Sequence, residues 1–479
     1  MNKTLELEHT YLELPSDLYS FLDESTYKHA ELVRLNRELA SELNVSPEYL
    51  TSDDGIRFLT GQTAHAPLFA QAYAGHQYGY FTMLGDGRAM VLGERVVGDR
   101  RYDLQLKGSG KTPYSRRGDG KATMESVLRE YLISAAMHHL GVPTTRSLAV
   151  LKTGERVLRE DIHDGAILVR VAQSHIRIGT FEYARGRGDL DLLRQLADYT
   201  IQRHVPALME DNDKYLALFR EVVRRQAELI AKWQSLGFVH GVMNTDNMLL
   251  SGETIDYGPC AFLDAYAPKT SFSSIDRNGR YAYFRQPFIA SWNLSRLAGA
   301  LVPLIHESET LAVQLLNKEL ELFATYYQTA YDRRMAYKIG IVEPSVTSRQ
   351  LIEDLLELME ATNADFTNTF RHLTNGTTSA LAFADSQAGR TWIKTWQHHL
   401  STQTGHYDPT QLMRQHNPAI IPRNQLVDAV VKEAAKGDMK RFDALYDLLK
   451  TPYDHNRIYD MQYLEPLRPG ESFVTYCGT

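Results

Sequence analysis

Apolar positions in the first part of the chain come in short runs, and in the rest they come in helical stripes. The runs 89–93, 103–106 and 167–171 have strand length, the last is richest in β-branched residues, and Gly and Asp cluster between them. One helix interrupts the strands. Met124, Val127, Leu128, Tyr131, Leu132 and Ala135 recur at helical spacing until Gly141-Val142-Pro143 ends the run. Beyond about residue 185 the helical period dominates. Leu216, Phe219, Val223, Ala227, Ile230 and Trp233 form a stripe stopped by Gly237, and later stripes cover 311–331, 351–359 and 426–435. The pattern predicts an α+β protein: a small sheet-plus-helix lobe, a helical lobe and a helical C-terminal region. Residues 1–60 are mixed and polar, as expected of an extension packed on the main body.

Composition narrows the function classes. The chain has 479 residues, enough for about two to four domains. With 43% hydrophobic and 23% charged residues it is an ordinary globular chain, which excludes disordered and collagenous classes. Its formal charge is −7, so any nucleotide site must be a local basic patch on an acidic body and no nucleic-acid partner is expected; no run approaches 18 apolar residues, so no membrane partner is expected either. Two cysteines, Cys260 and Cys477, exclude a disulfide framework and a Cys-rich metal site. The start, Met1-Asn2-Lys3 followed by Glu6, Glu8 and Glu13, has no apolar signal core, so a soluble cytoplasmic protein is expected. The adjacent pairs His138-His139 and His398-His399 lie on helical stretches, where neighbours point apart, so no zinc site is expected. The 27 tyrosines are expected to pack in cores.

Five segments carry candidate chemistry. Gly85-Asp86-Gly87-Arg88 precedes a strand; glycines let backbone N–H groups approach a phosphate, though Gly-Asp-Gly between strands also reads as a hairpin turn. Lys107-Gly108-Ser109-Gly110-Lys111-Thr112 follows a strand. It is not a P-loop, because the position of the first glycine is Gln105 and Pro113 follows instead of a helix, but Lys107 at a strand end can pair with phosphate. Arg116-Arg117-Gly118-Asp119-Gly120-Lys121 opens the helix that starts near Thr123, where an anion or a nucleotide edge can sit. On that helix Glu125 or Glu130 can hold Lys107, and periodicity does not choose between them. Arg170, inside an apolar strand run, needs a phosphate or a carboxylate as partner. The fifth segment is the most specific: His240-Gly241-Val242-Met243-Asn244-Thr245-Asp246-Asn247, then Ile255-Asp256-Tyr257-Gly258. Asn247 and Asp256 supply the oxygen ligands that Mg²⁺ on nucleotide phosphates takes, and Asp246 leaves a carboxylate free to accept a hydroxyl proton.

The order of glycine loop, strand lysine, helix glutamate, His-x₆-Asn and Asp-Tyr-Gly resembles a protein-kinase lobe pair. In that resemblance Lys107 pairs with Glu130. The chain departs from it at Val242, where a kinase has its catalytic aspartate. Over residues 60–300 the chain more closely resembles the selenoprotein O family, through Ala74-Gly75-His76-Gln77-Tyr78-Gly79, Gly85-Asp86-Gly87-Arg88, the stretch from Lys107 to Arg116, His240 to Met248, Asp256-Tyr257-Gly258-Pro259 and Gly279-Arg280-Tyr281.

The resemblance implies a kinase-like bilobal fold: an N-terminal extension (1–60), a nucleotide-binding N-lobe (61–185), a C-lobe with the catalytic and metal-binding loops (186–335) and a helical C-terminal region (336–479). It implies transfer of AMP from ATP to Ser, Thr or Tyr hydroxyls of proteins, with pyrophosphate leaving and ATP reversed relative to a kinase. Asp246 resembles the proton acceptor, Asn247 and Asp256 the ligands of Mg²⁺ or Mn²⁺, and Gly85, Gly87, Arg88, Lys107, Asp119, Gly120, Arg170, Arg177 and Asp256 the ATP contacts. The alternatives are uridylyl transfer from UTP with Mn²⁺, a phosphotransferase that holds ATP in the usual direction, and a nucleotide-sensing pseudokinase without turnover. Relatives often end near a cysteine, as Cys477 does here. The second cysteine some carry before Gly-Arg-Tyr is missing from 269–278, so a redox latch of Cys477 onto that region has no thiol partner there; Cys260 is the only other thiol.

Overall fold

A computed structural model describes residues 5–62, 67–403, 407–468, 471 and 473–475. Its strands are β1 (Tyr19–Leu22), β2 (Glu31–Leu35), β3 (Leu68–Gln77), β4 (Tyr80–Gly85), β5 (Ala89–Val97), β6 (Arg100–Lys107), β7 (Ala122–Thr123), β8 (Arg146–Leu158), β9 (Ile162–Ala172), β10 (Phe238–Val239) and β11 (Ala261–Phe262). The helices before the site loop are α1 (Arg37–Glu42), α2 (Pro47–Leu50), α3 (Asp53–Leu59), α4 (Met124–His139), α5 (Ile178–Gly186), α6 (Leu190–His204) and α7 (Lys214–Leu236). Those after it are α8 (Gln286–Ile305), α9 (Glu309–Lys338), α10 (Val346–Ala361), α11 (Phe366–Thr374), α12 (Gln387–Thr402), α13 (Pro409–His416), α14 (Asn424–Ala435) and α15 (Lys440–Leu449).

The protein is a mixed α+β structure on an antiparallel sheet, ordered β1-β3-β5-β6-β9-β8-β2, with β4 joined to β3 and β7 to β9. The three strand-like runs in the sequence fall in β5, β6 and β9. The N-terminal segment does more than pack on the body: it supplies both outermost strands, β1 against β3 and β2 against β8. Gly85-Asp86-Gly87 is not a hairpin turn. β4 pairs with Ala72–Gln77 of β3 and β5 continues at Phe69, so the glycine run bulges out of a single strand line.

Helix α4 begins where Thr123 caps it, its side chain accepting from the Ser126 N–H at 3.3 Å. It lies against β8 and β9, and α14 and α15 pack on it in turn. Tyr131 of α4 stacks on Tyr446 of α15 with ring centroids 5.6 Å apart, so the C-terminal helices brace the helix behind the sheet. The rings of His138 and His139, expected to diverge, lie 5.1 Å apart, edge to face, in the last turn of α4.

Helix α7 is amphipathic and stops at Gly237, whose φ of +70° suits a glycine. The chain then forms β10, an irregular loop over 240–260, and β11, a short ladder inside the region expected to be helical. The stretch Tyr283–Ile305 is apolar and long enough to cross a membrane by composition alone; in the fold its helix packs against α5, α7 and α9.

Arg423, fully buried before α14, holds the C-terminal helices to the segment after β11. Its guanidinium lies 2.6 Å from Asp264 and 2.7 Å from Asp365, and it donates to the Leu464 carbonyl at 3.1 Å. Replacing Arg423 with Ala leaves two half-dried carboxylates facing each other. The variant should lose about 3–5 kcal/mol of stability in urea unfolding, and a loss within experimental error would show that this fork does not hold the halves together.

Candidate active site

The alternation of strand side chains builds the floor of the site. Gln105 and Lys107 share one face of β6, and register sets Arg170 of β9 beside Gln105. Helix α4 covers the same face and presents Glu130. Lys107 Nζ lies 2.6 Å from Glu130 Oε2 and 2.6 Å from Asp256 Oδ1. Arg170 reaches Glu130 Oε1 at 2.5 Å and Asp256 Oδ1 at 2.6 Å, and it donates to Gln105 Oε1 at 3.2 Å. Of the two glutamates on α4, Glu130 is therefore the partner; Glu125 faces His163 at 3.9 Å instead. Burial alone would raise the Glu130 and Asp256 carboxyls. Arg170 and Lys107 overcome it at both, helped at Asp256 by Arg177, and hold Asp256 well below the usual carboxylate range.

Asp256 takes a φ of +63°, a left-handed conformation uncommon outside glycine, in the turn that carries it toward Lys107. The loop around it is fixed by buried contacts. His240 stacks on Trp233 at 5.3 Å, and its Nε2 lies 2.8 Å from the Ile255 carbonyl. Arg129 donates to the Gly258 and Cys260 carbonyls at 3.2 and 2.6 Å. Asn247 donates its amide N–H to the Val242 carbonyl at 2.8 Å, which leaves its side-chain oxygen for the cavity.

Asp246 sits one residue earlier, on a short 3₁₀ turn. Its carboxylate is buried, Oδ1 has no hydrogen-bond partner among the described residues, and burial pushes the group up to about 6 against the opposing pull of Arg177. Strand β3 passes so close that a Cβ at Gly75 would overlap the Asp246 carboxylate, which is a physical reason for glycine there. Arg177, at the start of α5, donates to the Asp246 carbonyl at 2.7 Å, lies 3.5 Å from Asp256 Oδ2, and stacks over Tyr73 at 4.4 Å.

These side chains line a cavity of about 350 Å³. Gly85, Gly87, Arg88, Lys107, Asp119, Gly120, Arg170, Arg177, Asp246, Asn247 and Asp256 all border it, and Glu130 lies just behind Lys107. Asp119 is not at a helix N-terminus as expected, because β7 intervenes; Arg159 grips it at 2.8 Å and holds its carboxyl below the usual range.

Sequence reasoning missed several members. In the sequence Asp86 is only one residue of a glycine loop, yet its buried carboxylate accepts from Gln71 N–H at 3.1 Å and Gln105 Nε2 at 3.2 Å and faces Arg177 at 3.6 Å. Arg159 and Tyr73 gave no local signal. Behind Asp246, His76 lies 2.6 Å from Glu182, whose carboxyl burial pushes up to about 7. Cys260 is buried, with its thiol raised to about 11 by burial, and Cys477 lies outside the described residues. Nearby, Thr475 hydrogen-bonds the Pro259 carbonyl at 2.8 Å, so the end of the described chain rests on the site loop.

This cleft on an acidic body gathers buried guanidiniums and a lysine around carboxylates, a lining whose cations can meet a polyanion. Comparison with known proteins gives the family. The family model described as Protein adenylyltransferase SelO matches residues 2–450. A protein nucleotidyltransferase YdiU of Clostridium perfringens (strain 13 / Type A) is 49% identical over 477 residues, covering 99% of this chain and 97% of that protein. Proteins of the same name from Alkaliphilus metalliredigens (strain QYMF) and Bacillus cereus (strain AH187) are 48% and 47% identical, with 99% of this chain covered in each and 97% and 98% of their own lengths. The chain belongs to the SelO family of protein adenylyltransferases.

The burial of Asp246 has a measurable consequence. A carboxyl raised to about 6 in the fold, against 3.8 ordinarily, binds more protons native than unfolded between those values. Its contribution to stability is full below pH 3.8 and is lost as pH rises through about 6. Asp246→Asn should therefore melt higher than the parent at pH 8, with the gap closing as pH falls through 6 toward 4. A gap that does not change with pH would mean the carboxyl is not raised.

Proposed function

We propose that the protein is an adenylyltransferase that moves AMP from ATP to a Ser, Thr or Tyr hydroxyl of another protein and releases pyrophosphate. The observation that carries this reading is the pairing, in one cavity, of a cation-rich floor with a buried carboxylate at its edge, that of Asp246, one of whose oxygens has no hydrogen-bond partner among the described residues. The names of the family and of the relatives support the nucleotidyl part. We read the sheet with α4 as a kinase-like N-lobe over 61–185 and the helices around the site loop as a C-lobe over 186–335. The N-terminal segment and the region 336–479 brace them. The Lys107–Glu130 pair supports this reading, as does the following Asp256.

In this scheme Lys107, Arg170, Arg177 and Arg88 neutralise the triphosphate, and the backbone of Gly85 to Gly87 approaches it closely. Asp119 and Gly120 flank the nucleoside end. Asp246 accepts the proton of the acceptor hydroxyl. The hydroxyl oxygen bonds to the α-phosphorus, the bond from that phosphorus to the bridging oxygen breaks, and pyrophosphate carries the electron pair away. A carboxyl raised to about 6 is ionised at neutral pH and still basic enough to take that proton.

The donor set also suits a hard dication. The Asn247 oxygen points away from its Val242 contact, and Asp256 offers a carboxylate beside the phosphates, as Mg²⁺ or Mn²⁺ requires when phosphate and water fill the other positions. When bound, such an ion would supply charge neutralisation on the phosphates. Cations now satisfy Asp256, and a triphosphate would draw Lys107 and Arg170 partly away from it.

Two experiments test the proposal. With ATP labelled at the α or the γ phosphorus, protein should take up the α label alone, and Asp246→Ala should lower kcat by about 10²–10⁴-fold while nucleotide affinity holds. Uptake of γ label would instead make the protein a phosphotransferase. Lys107→Ala should weaken ATP binding by about 10–100-fold and AMP binding much less; equal losses for both ligands would remove Lys107 from the phosphates.

A further inference from the structure

Beside Asp246 the surface carries a feature that holding a nucleotide does not use. Trp292 of α8 lies edge-on to His76 at 5.3 Å, and His76 lies edge-on to Phe81 at 5.2 Å. Two guanidiniums stack on that indole, Arg280 at 4.7 Å and Arg296 at 5.1 Å. Many other arginines of this fold meet carboxylates, as Arg203 meets Asp103 at 2.5 Å. Here the carboxylates turn away. Asp276 accepts from the backbone N–H groups of Arg280 and Tyr281, each at 2.8 Å, and Glu182 faces His76. Among the described residues no carboxylate lies within ion-pair reach of either guanidinium. Arg296 hydrogen-bonds Ser295 Oγ at 3.1 Å, and the buried Nε of Arg280 makes no hydrogen bond. After burial, Arg296 and Arg280 are what push the His76 ring below its ordinary value, a sign of positive potential at this face.

The feature is wired to the reacting end of the cleft. The His76 backbone N–H donates to Thr245 Oγ1 at 2.7 Å, and the Tyr281 hydroxyl donates to Asn244 Oδ1 at 2.5 Å, so it borders the two residues just before Asp246. Its outer edge is apolar and exposed. Tyr80 is 79% and Phe81 50% accessible at the β3–β4 tip, and Phe288, one turn before Trp292, is 68% accessible. Phe288 also opens an apolar groove of about 600 Å³ between α8 and α9, lined by Ser291, Leu320, Phe323 and Tyr327, with Glu321 at its side.

We propose that this strip docks the acceptor polypeptide through an acidic segment, which pairs with Arg280 and Arg296 while a large apolar side chain enters the groove between α8 and α9. The inference rests on the protein-acceptor reading above and gives the acceptor a chemistry. A protein of net charge −7 repels acidic segments in general, so two guanidiniums that no described carboxylate meets at ion-pair distance admit them at this one place. Stacking on Trp292 holds both forks oriented before the acceptor arrives.

The test uses the full chain with a non-hydrolysable ATP analogue and two fluorescent peptides. One carries a Thr, a Phe and a run of Glu; the other has Lys in place of each Glu. Fluorescence anisotropy should show the Glu peptide bound at least about tenfold more tightly than the Lys peptide, with a gap that shrinks as salt rises. Arg296→Glu, a change at an exposed position, should erase the preference, and Arg280→Ala should weaken the Glu peptide about five- to tenfold with the Kd of the analogue unchanged. Replacing the peptide Phe with Ser should weaken binding further. Equal binding of the two peptides to the parent, or an undiminished preference in Arg296→Glu, overturns the proposal. Peptide binding is read without turnover, so absence of α label on any acceptor would refute the adenylyl reading separately from the docking strip.

Discussion

A buried quartet of charges, Lys107 and Arg170 against Glu130 and Asp256, ties the parts of this site together. Each member comes from a different element: β6, β9, α4 and the loop between β10 and β11. None could be buried alone, because an unpaired charge in that interior costs several kcal/mol. The sheet, the helix and the loop must therefore arrive together. Removing one member strands the others, so the pocket depends on the quartet even though such a network adds little net stability over an apolar core.

The same interior sets two carboxylates apart. Asp256, ringed by Arg170, Lys107 and Arg177, is held strongly acidic; Asp246, close by but with one oxygen unpartnered, is pushed up to about 6. Neighbouring groups driven in opposite directions can divide labour, one staying charged to hold cations and the other exchanging a proton near neutrality. Beyond them the surface shifts from the cation-lined cleft to arginines stacked on Trp292, so the positive potential continues past the cleft toward where, in the proposed reading, an acceptor would lie.

Much of this was legible in the sequence. Strand and helix periods marked β5, β6, β9, α4 and α7 because their apolar residues are buried at regular strand or helix spacing. The loop over 240–258 stood out because Asp, Asn and Asp at that spacing have few structural uses. What stayed hidden was long-range. Periodicity could not choose Glu130 over Glu125, since both flank the apolar stripe of α4 and only the approach of β6 and β9 decides. The two edge strands in the first sixty residues were short and half-exposed, with too little alternation to register. Asp86 looked like a turn residue because its partners, Gln71 and Gln105, lie on other strands. The Arg280–Trp292–Arg296 stack joins residues from a loop and a helix face that no short motif spans.

The proposed function is directional: the nucleotide would lie so that its innermost phosphorus, not its outermost, meets the hydroxyl that Asp246 would deprotonate. A crystal structure with a non-hydrolysable ATP analogue and Mg²⁺ measures this directly. The account predicts the α-phosphorus within reach of the open side of the cleft at Asp246, with the β- and γ-phosphates on Lys107 and the arginines. A γ-phosphate turned toward Asp246, with the adenine buried at the far end, would contradict it.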